Sequence, residues 1–191
     1  MERIGLFGGS FDPVHLGHLL VAQAASEELQ LQRIFFVPAA QSPFKPESSP
    51  APAAARLRLL SLALTGYPNY EIDDQEIRRG GTSYTIDTVR SFASRFPGGE
   101  LFYIIGADHV QQLPKWRDAA ELARLVTFVV VPRPGSSAVG DQPPFRLHQL
   151  RGFPSGVSSS EIRSRVQSGL PIRTLVPAPV EEAIRQSKLY L

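Results

Sequence analysis

The stretch GLFGGSFDPVHLGH, residues 5–18, decides how the chain is read. Arg3 to Phe7 form a short apolar run that stops at Gly8-Gly9, the pattern of a strand ended by glycines. Residues 16–30 then place Leu19, Leu20, Ala22, Ala24 and Leu29 near helical spacing. Strand, glycine turn and helix together make a ligand-facing corner. Gly8 and Gly9 let backbone N–H groups approach a ligand closely, and the following helix start adds a positive dipole end with free donors. His15 and His18, three residues apart, share one helix face, and Gly17 between them leaves that face open. The turn matches neither G-x-G-x-x-G nor G-x-x-x-x-G-K-[ST] and is a phosphate-binding turn of another kind.

Two histidines so placed can be metal ligands, core residues or phosphate donors. A zinc site needs a third ligand, and the chain offers only His109, His148 and scattered carboxylates, with no cysteine. The zincin helix spacing is H-x-x-x-H rather than H-x-x-H. No dedicated metal site is expected.

Farther along, Ile34–Val37, Tyr70–Asp73, Leu101–Ile105, Leu125–Val131 and Phe145–Leu150 read as strands. Residues 53–65, 83–96, 115–124, 158–167 and 179–188 read as helices, with Ser83 or Thr85 available to cap the second of these. The strands are continuous apolar runs alternating with helices, which predicts an α/β, doubly wound parallel sheet covered by helices on both faces. Ligands in such sheets bind beyond the carboxyl ends of the strands. The chemistry is therefore expected at residues 8–18, 38–45, 106–108 and the loop after Val131. No internal repeat or boundary appears, so residues 1–191 are read as a single domain. The proline-rich segment 38–52 and residues 133–144 read as long loops that could close over a substrate.

Composition narrows the partners. A formal net charge of +2, with scattered basic residues, argues against nucleic acid. No apolar run reaches the ~20 residues that a membrane helix needs, and the start lacks the pattern of a secretory signal. The absence of cysteine fits a reducing compartment, and a soluble, cytoplasmic protein is expected. Homo-oligomerisation is left open.

Three further features bear on chemistry. In VSSSEIR (157–163), Ser158 and Glu161 form a capping-box pattern, and Arg163 lies one turn in, a second place for phosphate oxygens. Lys45 in SPFKP sits between two prolines at the expected mouth of the sheet, where it could meet a triphosphate or stay solvated. Trp116, the sole tryptophan, could be core or a stacking surface for a heteroaromatic ring.

With these residues in place, GGSFDPVHLGH resembles the signature of the HxGH nucleotidyltransferases, and VSSSEIR is similar to their second motif. SPFKP, RRGGTSYTIDT (78–88), IIGADH (104–109), the Leu113–Trp116 segment and VVVPRPG (129–135) look like the nicotinate-nucleotide adenylyltransferases of bacteria. Ser10 and Ser160 stand where threonine is usual, and Phe44 replaces a usual histidine.

The resemblance implies a Rossmann-like fold. It also implies adenylyl transfer from ATP to nicotinic acid mononucleotide, with Mg²⁺ carried by ATP and no covalent intermediate. It assigns His15, His18, Lys45 and Arg163 to the transferring phosphates. Gly8, Gly9, Ser10, Phe11, Gly106, Asp108, Ser158 and Ser159 fall to ATP, and Thr85, Trp116 and Arg133 to the mononucleotide. Alternatives are another acceptor (nicotinamide mononucleotide or phosphopantetheine) or a non-catalytic nucleotide sensor.

Overall fold

The apolar runs become the strands of a six-stranded sheet in the computed structural model, which describes residues 1–43, 50–132, 140–152 and 155–191. The strands are β1 (Arg3–Gly9), β2 (Arg33–Pro38), β3 (Tyr70–Ile72), β4 (Glu100–Gly106), β5 (Val126–Val131) and β6 (Arg146–Gln149). Their order is β3-β2-β1-β4-β5-β6, and every neighbouring pair is parallel. The chain winds outward from β1 to β3, returns to the middle and winds the other way from β4. The reversal leaves a crevice beyond the carboxyl ends of β1 and β4, where α/β sheets of this order bind ligands.

Register explains why the strands lack polar alternation. Phe35, Leu6, Tyr103 and Phe128 align across four strands and face one side of the sheet. They pack against Ile86, Val89 and Phe92 of α4 (Thr85–Arg95) and Leu122 of α5 (Ala119–Leu125). The adjacent row, Phe36, Phe7, Ile104 and Val129, faces the other side. There it meets α1 (Leu16–Leu29), α2 (Ala53–Leu64), α6 (Ser159–Gln167) and α7 (Ala178–Ser187) through Ala22, Leu60, Ile162 and Ile184. Both rows are buried, so each strand must be apolar on both faces. Truncating one such aromatic to alanine costs about 3–5 kcal/mol.

Three local expectations are revised. The helix expected over 115–124 is shorter and shifted to Ala119–Leu125, preceded by a 3-10 helix over Ala107–Lys115. Pro114 lies inside that 3-10 helix and lacks the N–H that an α-helix would require. A short helix, α3 (Gln75–Arg79), precedes α4. Neither Ser83 nor Thr85 caps α4, whose N-cap is Tyr84 with no side-chain bond, because the Ser83 hydroxyl has partners elsewhere.

Candidate active site

The turn after β1 is built by close approach. A Cβ on Gly8 would stand 2.3 Å from the Tyr103 hydroxyl, so glycine here leaves the room that the Tyr103 side chain occupies. Phe11 takes φ 45°, a left-handed conformation unfavourable to a non-glycine residue, and its ring is fully buried beside Phe7 and Phe36. The turn then enters α1 with His15 as N-cap.

The two histidines are stacked on one another, with ring centroids 3.7 Å apart. The His15 backbone N–H donates to His18 Nδ1 at 3.1 Å. That bond fixes the neutral tautomer of His18 and leaves Nε2–H as its donor. Burial lowers His15 to about 4, and burial together with the neighbouring His15 lowers His18 well below its ordinary value. Both rings are therefore neutral near pH 7 and carry no fixed positive charge.

Gly17 has a different task from the one its sequence position suggests. A Cβ there would meet His15 Nδ1 at 2.9 Å and Cε1 at 3.0 Å. The glycine makes room for the His15 ring over the helix, rather than keeping the His18 face open.

The second motif is docked onto the first. Ser158 caps α6 by accepting from the Glu161 N–H at 3.2 Å, as the sequence pattern predicts. The Ser159 hydroxyl donates to the Pro13 carbonyl at 2.8 Å. Arg163 donates through Nη1 to the Asp12 carbonyl at 2.7 Å and through Nη2 to the Ser160 hydroxyl at 3.3 Å. Glu28 of α1 accepts from the backbone N–H groups of Arg151 and Gly152, both at 2.9 Å, and so anchors the chain leading into this motif.

A cavity of about 600 Å³ opens at the crevice. Its wall includes Gly8, Gly9, Ser10, Gly106 and Arg163 on one side and Thr85, Tyr103 and Trp116 on the other. His15 and His18 stand behind this wall. Phe11 is packed against His18, with ring centroids 5.0 Å apart. Asp108 is exposed beside His109, which lines the cavity. Ser158 and Ser159 engage the protein itself. Lys45, Phe44 and Arg133 lie outside the described residues.

On the far side, Trp116 packs edge-on to Tyr103, His109 and Phe128 and also borders a smaller cavity with Thr85 and Lys115. Thr85 donates to the Tyr103 hydroxyl at 3.3 Å. Beneath them lies Glu76, a buried carboxyl that accepts from Thr88 and Ser83. Burial pushes Glu76 up, against the pull of those hydroxyls. Burial, with Glu76 nearby, also pushes Tyr103 up.

Sequence reasoning missed Asp12, Arg56, Glu76, Tyr103 and Tyr190. The Arg56 side chain is fully buried and donates to the Ser10 carbonyl at 2.8 Å and the Ala51 carbonyl at 3.0 Å, which braces the turn from behind. In sequence Arg56, Glu76 and Tyr103 are single polar residues within helical or strand segments, Asp12 sits in a turn and Tyr190 follows the last helix, and only their tertiary partners mark them. The Asp-Pro pair at 12–13 was the one available signal.

No group of three or more His, Cys, Asp or Glu side chains gathers in metal-holding geometry among the described residues. No described helix is long and apolar enough to cross a membrane.

A central glycine turn, a helix-capping histidine pair and an arginine brought across a parallel sheet's switch point define a nucleotide-binding transferase of the Rossmann-like class. Residues 6–165 match the cytidylyltransferase-like family. Two relatives, each named "Probable nicotinate-nucleotide adenylyltransferase", are similar over almost the whole chain. That of Opitutus terrae is 45% identical over 98% of this chain and 97% of its own, and that of Geobacillus kaustophilus is 44% identical over 100% and 87%. The chain belongs to the cytidylyltransferase-like family and, within it, to the nicotinate-nucleotide adenylyltransferases. The fold is shared with the nicotinic acid mononucleotide adenylyltransferase of Plasmodium falciparum solved with NaAD. The TM-score is 0.81 at 18% identity, covering 100% of this chain and 98% of the other.

Proposed function

We propose that this protein joins ATP and nicotinic acid mononucleotide into nicotinic acid adenine dinucleotide and pyrophosphate, a step of NAD biosynthesis. A 5′-phosphate oxygen of the mononucleotide attacks the α-phosphorus of ATP in line. A new P–O bond forms, the bond to the β-phosphate breaks, and pyrophosphate leaves with those electrons. A phosphate dianion is already nucleophilic, so the protein's work is positioning and charge stabilisation.

The observation that carries this reading is the docking of Arg163 and α6 onto the GGSFDP turn. It sets the Arg163 guanidinium beside the glycine turn Gly8–Ser10 in the wall of one crevice. His15 and His18 lie beside that turn as neutral donors for phosphoryl oxygens, with His18 assigned to the α-phosphate. Arg163, Lys45, Ser158 and Ser159 serve the β- and γ-phosphates. Gly8–Phe11, Gly106 and Asp108 shape the adenosine side. Thr85, Trp116 and Arg133 take the mononucleotide.

Mg²⁺ enters on the triphosphate, since ATP holds it through phosphate oxygens and waters. The cavity wall offers the Arg163 guanidinium and the glycine turn to phosphate oxygens, which fits a metal that arrives on the substrate. We read residues 1–191 as one nucleotidyltransferase domain working in the cytoplasm.

The test is an acceptor panel. Pyrophosphate release is measured with MgATP and, in turn, nicotinic acid mononucleotide, nicotinamide mononucleotide and phosphopantetheine. Release is expected with the first. Release with phosphopantetheine alone, or ATP binding with no release at all, would overturn the reading.

A further inference from the structure

The Asp12 carboxylate lies at a junction of four segments. Tyr190 donates its hydroxyl to Asp12 Oδ1 at 2.7 Å, and the Ala51 N–H donates to the same oxygen at 3.3 Å. Oδ2 stands 3.8 Å from Arg163 Nη1, too far for a hydrogen bond. The same Nη1 instead donates to the Asp12 main-chain carbonyl at 2.7 Å. Asp12 and Arg163 thus form a loose ion pair whose hydrogen bond runs to the backbone carbonyl, short of a bidentate contact between guanidinium and carboxylate.

That arrangement needs an explanation. An arginine and a carboxylate free to move at this distance would close into a bidentate pair, the favoured geometry for these groups. The bonds at Oδ1 oppose the rotation this requires. Tyr190 is itself placed with care. Its φ of 72° is a conformation that L residues rarely adopt, and the ring lies half-buried along the cavity wall beside Leu189. Burial and Asp12 raise the hydroxyl's pKa, which keeps it a donor.

We infer that Tyr190 is a positioning residue for the phosphate side of the site. By occupying Asp12 Oδ1, its hydroxyl keeps the carboxylate from capturing the Arg163 guanidinium, which stays available to the triphosphate. The inference rests on the proposed role of Arg163 in holding ATP phosphates.

The experiment compares wild type, Tyr190→Phe, Asp12→Asn and the double variant in steady-state adenylyl transfer. ATP and nicotinic acid mononucleotide are varied separately, and folding is checked by circular dichroism and melting. Tyr190→Phe is expected to lower kcat/KM for ATP by roughly tenfold, the scale of one hydrogen bond to a charged group. KM for the mononucleotide should move by less than about twofold. In the Asp12→Asn background there is no anion to capture Arg163, so Tyr190→Phe should cost less than about twofold, a coupling that a merely structural tyrosine does not produce.

Two analogues at position 190 separate donor from volume and serve if Tyr190→Phe folds poorly. p-Aminophenylalanine, which retains a donor, should restore kcat/KM for ATP, whereas p-methylphenylalanine should not. An unchanged kcat/KM for ATP, an equal loss in the Asp12→Asn background, or equal recovery by both analogues would overturn the inference. Arg163→Ala distinguishes the two failures. If it leaves kcat/KM for ATP unchanged, the reading of Arg163 itself fails. If it abolishes activity while Tyr190→Phe has no effect, only the role of Tyr190 falls.

Discussion

Adding one methyl group at Gly17 should separate stability from activity. In Gly17→Ala the new Cβ would lie 2.9 Å from His15 Nδ1, 3.0 Å from Cε1 and 3.2 Å from Ser155 Oγ. Ordinary carbon contacts are about 3.5–4.0 Å, so the imidazole must retreat by roughly 0.6–1 Å. It cannot do so freely, because it is buried and stacked at 3.7 Å on His18. The backbone tolerates alanine, since Gly17 lies in the first turn of α1 outside the left-handed region. Alanine there adds up to about 1 kcal/mol of helix propensity, which offsets part of the crowding. Stability should therefore remain within about 1 kcal/mol of wild type, while a ~1 Å displacement of the His15 ring, in its proposed role as a phosphate donor, should lower kcat by roughly 10²-fold. The assay is pyrophosphate release at saturating ATP and nicotinic acid mononucleotide, beside a thermal melt. A folded variant whose kcat stays within about threefold of wild type would refute the reasoning that the placement of the His15 ring, secured by Gly17, serves catalysis.

His15 titrates near 4 in the fold against 6.5 for a free imidazole, so between those values the unfolded chain binds more protons. Stability should fall as pH drops from 6.5 to about 4, by roughly 3 kcal/mol from this group, and His18 acts in the same direction. Urea titrations from pH 7 to 4 on wild type and His15→Gln isolate the effect, and parallel pH profiles would contradict it. Gly8→Ala drives a Cβ into the Tyr103 hydroxyl and should destabilise by about 1–3 kcal/mol. Adding Tyr103→Phe should recover more than half of that loss, and no recovery means the clash lies elsewhere. Trp116→Ala should raise KM for nicotinic acid mononucleotide by roughly tenfold while KM for ATP changes little, as expected of a stacking surface. An equal rise in both constants would assign Trp116 to the core.

The sheet was legible because its strands are buried on both faces. IFFV, LFYII and LVTFVVV are written as unbroken apolar runs, and their alternation with helices gives a parallel sheet. The 3-10 helix over Ala107–Lys115 was not legible, since Pro114 and a polar composition hide a continuous element there. Helix α3, QEIRR, is too short to show a period, and its one buried residue is Glu76. In the site, the glycine turn, the histidine pair and the Ser158 cap are local patterns and could be read. The bonds of Asp12 to Tyr190 and of Arg56 to Ser10 join residues 178 and 46 positions apart, with no local pattern to announce them. The stacking of His15 on His18, and hence the true reason for Gly17, required side-chain orientation as well as spacing.

The latch between the two motifs has a consequence for how the protein comes into being. Ser159 reaches Pro13 across 146 positions, and Arg163 reaches Asp12 across 151. A chain emerging from the ribosome can pair β1 with β2 early, yet the junction of the two motifs stays half-built until α6 has been synthesised and folded back. Contacts of such long range form late, because loop closure must precede them. On the proposed reading, a chain that ends before α6 lacks Arg163 and therefore one wall of its nucleotide site.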